Sequence, residues 1–185
     1  MPEFLTEKNY QQDFINNKLW IFGTPTPTPI PTSSPQSQSS TFKQRITNLI
    51  NLAHKNKKIL HNNIKWMTNK EAELVKYFRN TFLAVKVSYC NEIYEYCEKQ
   101  NIDYNTIVNV AASDSRIGLS HTMVPGPDGK FGFGGTCFPK DTNGLLYDMN
   151  RVGVESYVLK SAIERNEKKD RSEKDWNTNK GRAVI

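Results

Sequence analysis

A chain of 185 residues has the length of a single domain and can bury a core of its own. Its formal charge of +6 points to an anionic partner without choosing among nucleic acid, a phosphorylated ligand and a membrane surface. Cys90, Cys97 and Cys137 form no CxxC pair, which excludes a disulfide framework and a cysteine zinc site, and His54, His61 and His121 have no ligand spacing, so no metal is expected. The acidic opening Met1-Pro2-Glu3 is no secretory leader, and no apolar run reaches the roughly 20 residues of a membrane span. These features predict a soluble, reduced, cytoplasmic protein. The basic clusters (Lys55, Lys57 and Lys58; Lys168, Lys169 and Arg171) read as solvated surface, and without a nucleic-acid motif beside them no nucleic-acid partner is expected.

In chain order, residues 1–22 read as a short ordered piece with a strand at 19–22. The Thr/Pro repeat from Thr24 and the Ser/Gln-rich run to Ser40 cannot bury a core, so 24–40 is predicted to be a disordered or extended insertion. Phe42, Ile46, Ile50 and Leu52 fit an amphipathic helix to about residue 54. Thr68 with Glu71 three residues on has the form of a capping box, and a periodic apolar run follows to about Gln100. One stripe of that run is Leu74, Phe78, Phe82, Val85, Tyr89, Ile93 and Tyr96; a second is Leu83, Val87, Cys90, Tyr94 and Cys97. A helix about 45 Å long and apolar on two sides needs more cover than one small chain offers, and a helix–helix dimer supplies it. Asp103 is placed to cap a helix through 112, Asp141 or Thr142 to cap another ending near Gly153, and a last helix spans 155–169. No βαβ alternation is visible.

Phe131-Gly132-Phe133-Gly134-Gly135-Thr136-Cys137-Phe138-Pro139-Lys140-Asp141 carries the chemistry. Its three glycines let backbone approach a ligand that a side chain would block. A thiol beside a lysine and a helix N-terminus has reason to be nucleophilic, and Lys140 is the candidate cation and a candidate contact for a cofactor. The run Gly132-Phe133-Gly134 is not a GxGxxG dinucleotide turn, since the third glycine is misplaced; that fingerprint is absent. On the long helix Lys76 and Asn80 share a face, so a cation and a carboxamide project together. Read singly, the glycines make a turn, Cys137 a structural thiol, and Lys76 and Asn80 a solvated surface.

Together these segments resemble the UDP-glucose/GDP-mannose dehydrogenase family. The 131–141 run resembles its catalytic-cysteine signature, and Glu71 to Lys76 with Asn80 to Ala84 resembles the start of its central dimerisation helix. Ser113-Asp114-Ser115-Arg116-Ile117-Gly118 resembles its arginine motif, and Pro2 to Glu7 with Asp13-Phe14 the end of its N-terminal domain. The resemblance covers most of 2–22 and 65–153.

It implies a mainly α fold: a long central dimerisation helix with packed shorter helices, plus a small α/β remnant of an N-terminal Rossmann domain. The implied division is 1–23 as the remnant of the NAD-binding domain, 24–40 as the insertion, 41–64 as a connecting helical segment, 65–153 as the central domain and 154–185 as a C-terminal helix and tail. The implied activity is UDP-glucose 6-dehydrogenase, with two oxidations of a sugar C6 alcohol to a carboxylate by NAD through a cysteine thiohemiacetal and thioester. The resemblance makes Cys137 the nucleophile, Asp141 the acid/base carboxylate, Lys76 the cation for developing oxyanion charge, Asn80 the amide that positions water or a sugar hydroxyl, and Glu3 a carboxylate in thioester hydrolysis. It gives Phe4, Leu5, Glu7, Arg116, Phe131, Gly132, Phe133, Gly134 and Gly135 to the nucleotide sugar, Arg116 from across a homodimer. A GxGxxG-bearing Rossmann domain is expected to be missing, so the chain is expected to be incomplete alone, with NAD seated by a separate Rossmann-domain chain. The alternative is a non-catalytic remnant that dimerises and holds a nucleotide sugar.

Overall fold

The structure is a computed structural model that describes residues 9–25 and 35–178, with the backbone alone at 35–40. It is mainly α-helical, as the resemblance implies. The chain divides into two compact units, Met1–Lys76 and Tyr77–Ile185, and the longest helix runs through the division.

The first unit holds α1 (Tyr10–Ile15), β1 (Trp20–Thr24), α2 (Pro35–Lys55) and β2 (Ile64–Thr68). β1 and β2 pair in parallel, Trp20 opposite Ile64 through Thr24 opposite Thr68. Parallel neighbours require a crossover, and α2 provides it. The chain therefore does contain a βαβ unit, contrary to the sequence reading. Two features hid it: Ile64–Thr68 is too short for its alternation to stand out, and α2 begins at Pro35, inside the Ser/Gln-rich run. Proline at a helix's first position removes an N–H that would have no partner there. Of the predicted 24–40 insertion, Thr24 thus closes β1 and 35–40 open α2, while 26–34 lie outside the described residues. One face of α2 gives Ile46, Ile50 and Ala53 to a core with Trp20, Phe22, Ile59 and Ile64. The buried indole of Trp20 donates to the His61 carbonyl at 2.7 Å.

The helix α3 (Asn69–Gln100) begins at the predicted capping box. Glu71 Oε2 accepts from Thr68 N at 2.7 Å, and Thr68 Oγ1 accepts from Glu71 N at 3.2 Å. Its two apolar stripes part company, apart from Ile93 of the first, which turns into the core with the second. Cys90 and Cys97 pack into the core of the second unit with Tyr104, Val124, Ile93, Tyr94 and Val108, while Leu74, Phe78, Phe82, Tyr89 and Tyr96 stay more than half exposed.

Asp103 caps α4 (Tyr104–Ala111) as predicted, accepting from Asn105 N and Thr106 N. The next helix, α5 (Cys137–Arg151), departs from the prediction: it starts at Cys137, and Asp141 and Thr142 are buried residues of its second turn rather than its cap. The glycine run and Pro139 hide this helix start in the sequence. α6 (Val158–Arg165) continues into a π-helical turn, Asn166–Asp170, which together occupy the place of the predicted last helix.

Among the described residues, no helix is long and apolar enough to cross a membrane, and no group of three His, Cys, Asp or Glu side chains could hold a metal ion.

Candidate active site around Cys137

Starting α5 at Cys137 places the thiol at the end of a helix where anions are stabilised. Cys137 is exposed; Cys90 and Cys97 are buried. Asp141 lies one turn further on, on the same face, and is 1% exposed. Burying a carboxylate is costly unless it is paired. Here Asn80 on α3 donates its Nδ2 to Asp141 Oδ2 at 2.5 Å, and Lys140 donates its ammonium to Asp141 Oδ1. Asn80 and Asp141 are 61 residues apart in sequence, and the α3–α5 packing joins them. The bond to Asp141 holds the Lys140 ammonium above its usual range, with a smaller contribution from the charge of Cys137. Cys137, Lys140, Asp141 and Asn80 thus form one cluster: an open thiol, and a buried carboxylate with a fixed amide and a cation on its two oxygens.

The loop before Cys137 is held by side chains. Gly132 N donates to Asn91 Oδ1 at 3.1 Å, and Phe133 N donates to Asn166 Oδ1 at 2.8 Å. Asn166 Nδ2 returns a bond to the Phe133 carbonyl at 2.9 Å, and Arg171 Nε donates to the Phe131 carbonyl at 3.1 Å. Phe133 is buried edge-on against Phe138, and Phe131 packs against Tyr94. Gly132 and Gly135 have positive φ, the conformation that favours glycine.

The arginine motif follows α4. Arg116 is exposed and doubly bound to Asp114, with Nε 3.0 Å from both carboxylate oxygens. Lys86 on α3 gathers the same loop by donating to three carbonyls: Ile117 at 2.9 Å, Gly118 at 2.8 Å and Ser120 at 2.5 Å. His121 follows with φ of 63°, its ring 5.7 Å from that of Phe138. The residue as a whole is exposed, but desolvation of its ring against Phe138, and then the charge of Lys86, push its imidazole below the ordinary value.

Lys76 is half-buried one turn before Asn80 on α3, at the end of the first unit. Glu3, Phe4, Leu5 and Glu7 lie outside the described residues. Sequence reasoning missed Lys86, Asn91, Asn166 and Arg171. A lysine within the helical stripes and an arginine in a basic cluster look like surface in sequence, and neither asparagine belongs to a motif. The signal that finds them is burial of a polar group: Asn91, Asn166 and Arg171 are each 3% exposed or less.

The profile of the UDP-glucose/GDP-mannose dehydrogenase family, central domain, matches residues 70–168. The UDP-glucose 6-dehydrogenase of Pseudomonas aeruginosa is 30% identical over 165 residues, 89% of this chain and 32% of its own length. UDP-glucose 6-dehydrogenase TuaD of Bacillus subtilis is 40% identical over 102 residues, 55% of this chain and 21% of its own length. A solved UDP-glucose dehydrogenase from the hyperthermophilic archaeon Pyrobaculum islandicum superposes with a TM-score of 0.66 at 28% identity, covering 90% of this chain and 33% of that one. The chain therefore spans about a third or less of the length of these relatives. The profile runs from the first turn of α3 into the π-helical turn and takes in more than half of the sequence, so the chain belongs to the UDP-glucose/GDP-mannose dehydrogenase family.

Proposed function

We propose that this chain supplies the catalytic-cysteine portion of an NAD-dependent UDP-glucose 6-dehydrogenase, with Cys137 as the nucleophile that captures the sugar C6 aldehyde. The observation that carries this reading is the cluster itself: an exposed thiol at the start of α5 beside a buried Asp141 held by Asn80 and Lys140.

The chemistry follows from those positions. The Cys137 thiolate adds to the aldehyde carbon, and the carbonyl oxygen becomes an alkoxide that a cation or a proton donor must stabilise. Asp141 is the candidate to exchange a proton with water or the sugar hydroxyl, with Asn80 holding its Oδ2 and the Lys140 ammonium on its Oδ1. Lys76 keeps the oxyanion role, and Arg116 and the loop 131–135 the sugar-nucleotide roles, that the family resemblance implies. The exposed α3 stripe supports a homodimer, since Phe78 and Phe82 are 65% and 58% exposed and stack in parallel 6.3 Å apart.

NAD is a different matter. Gly23 near the end of β1 serves close packing, since a Cβ there would lie 2.7 Å from Asn69 Oδ1. The described residues contain no glycine turn between a strand and a helix that fits a pyrophosphate, so no hydride step is assigned to them. In this reading NAD is seated by other residues of the working enzyme, on this polypeptide or on a separate Rossmann-domain chain.

Two measurements on the purified chain test the proposal. Calorimetry is expected to show binding of UDP-glucose in preference to GDP-mannose, and absence of any nucleotide-sugar binding overturns the reading. With UDP-glucose and NAD together, no NADH absorbance is expected. Turnover that disappears in Cys137→Ser would show that the chain seats the cofactor after all.

A further inference from the structure

The loop 131–135 lies in neither helix nor strand, and four of its backbone polar groups are bonded by three side chains from elsewhere in the second unit. Asn91 takes the N–H of Gly132, Asn166 takes both the N–H and the carbonyl of Phe133, and Arg171 takes the carbonyl of Phe131. An amide that accepts from and donates to the same residue fixes that peptide in two directions, as a neighbouring strand would. Asn166 and Arg171 are themselves joined by the wide bond of the π-helical turn, from Arg171 N to the Asn166 carbonyl at 2.8 Å. Both are 1% exposed.

The glycines of the motif match this clamp. A Cβ on Gly132 would lie 2.2 Å from Asn166 Oδ1, and one on Gly134 1.5 Å from Arg171 Nη1. Two of the three glycines therefore make room for the side chains that grip the loop. The grip passes to the thiol through a short path, since the Phe133 ring packs edge-on against Phe138, the residue after Cys137, at 6.3 Å.

We propose that Asn166 is a positioning residue: by holding both polar groups of Phe133 it sets the conformation of the loop and, through Phe138, of the first turn of α5 that carries Cys137. The catalytic consequence rests on the proposed function above; the geometry does not. A purely structural asparagine would change stability and leave the behaviour of Cys137 in the folded protein as it was.

The test compares the full chain with Asn166→Ala and Asn166→Asp, the latter keeping an acceptor for Phe133 N and losing the donor. Hydrogen exchange at the Phe133 amide and iodoacetamide alkylation of Cys137 are followed by peptide mass spectrometry, with buried Cys90 as the reference for global opening. In Asn166→Ala, Phe133 exchange is expected to quicken by about tenfold, with Asn166→Asp between it and the parent. Cys137 alkylation is expected to shift by at least about threefold while Cys90 stays protected. Unchanged Cys137 alkylation in folded Asn166→Ala, whether or not Phe133 exchange quickens, overturns the proposal, as does a change in which Cys137 and Cys90 move together. If Asn166→Ala fails to fold, Asn91→Ala releases the loop at Gly132 and is read by the same two criteria. A UDP-glucose titration alongside separates the two ideas: a parent chain that binds no UDP-glucose defeats the proposed function and leaves these readouts standing.

Discussion

Asp141 shows how a single residue changes meaning between sequence and structure. Its spacing from Cys137 marks it as a candidate, and its burial among an amide and an ammonium gives it a fixed orientation that an exposed aspartate would lack. His121 is a second case, because its environment makes a measurable prediction. Partial desolvation of its ring and the Lys86 charge depress the folded value of this otherwise exposed residue, so the unfolded chain binds the proton more tightly than the folded one. Stability from this group is therefore intact above the ordinary imidazole value of about 6.5 and falls as the pH drops through it, levelling off below the folded value. In Asn, Gln or Phe variants at position 121 that slope disappears. Urea denaturation across this pH range, comparing His121→Gln with the parent, checks it: a parallel pH dependence in the two proteins counts against a depressed His121.

At the scale of elements, α3 depends on its start. Thr68 and Glu71 satisfy each other's backbone N–H groups, and the bonds from Thr68 N and Oγ1 hold the Glu71 carboxyl below its usual range. Thr68→Ala removes one half of the box and is expected to lower the unfolding free energy by about 1 kcal/mol. Chemical denaturation reads this directly, and a change near zero would mean that packing alone fixes where α3 begins. Lys86 works further along the same helix. Its ammonium on three carbonyls draws the Arg116 loop onto α3, so one helix supports both the arginine motif and, through Asn80 and Asn91, the cysteine motif and its approach loop.

For the whole molecule the exposed stripe of α3 is the dominant feature. Leu74, Phe78, Phe82, Tyr89 and Tyr96 are each more than half exposed, an apolar surface of the kind that marks an interaction site. If a second copy covers it, Phe82→Asp buries an unpaired charge and is expected to yield monomers or aggregates. Sedimentation velocity at micromolar concentration measures this: a dimer for the parent and a monomer for the variant are expected. A well-folded parent monomer would show that the stripe is not covered by a second copy.

What the sequence determined by itself was local or motif-borne. The capping box, the length of α3 and the Asp103 cap are each written within a few consecutive residues or a helical period, and each is where the residues put it. The family was legible for the same reason, because its signatures are short and ordered along the chain. Tertiary structure decided the rest. Parallel pairing of Trp20–Thr24 with Ile64–Thr68 depends on strands separated by a helix, and no local pattern announces such a partner. Which stripe of α3 faces the core depends on where α4 and the 117–124 loop fold back, since both stripes are apolar. Asn166 and Arg171 acquire their roles only when the π-helical turn brings them against the glycine loop. A hydrogen bond between groups more than thirty residues apart leaves no trace in the local order of residues.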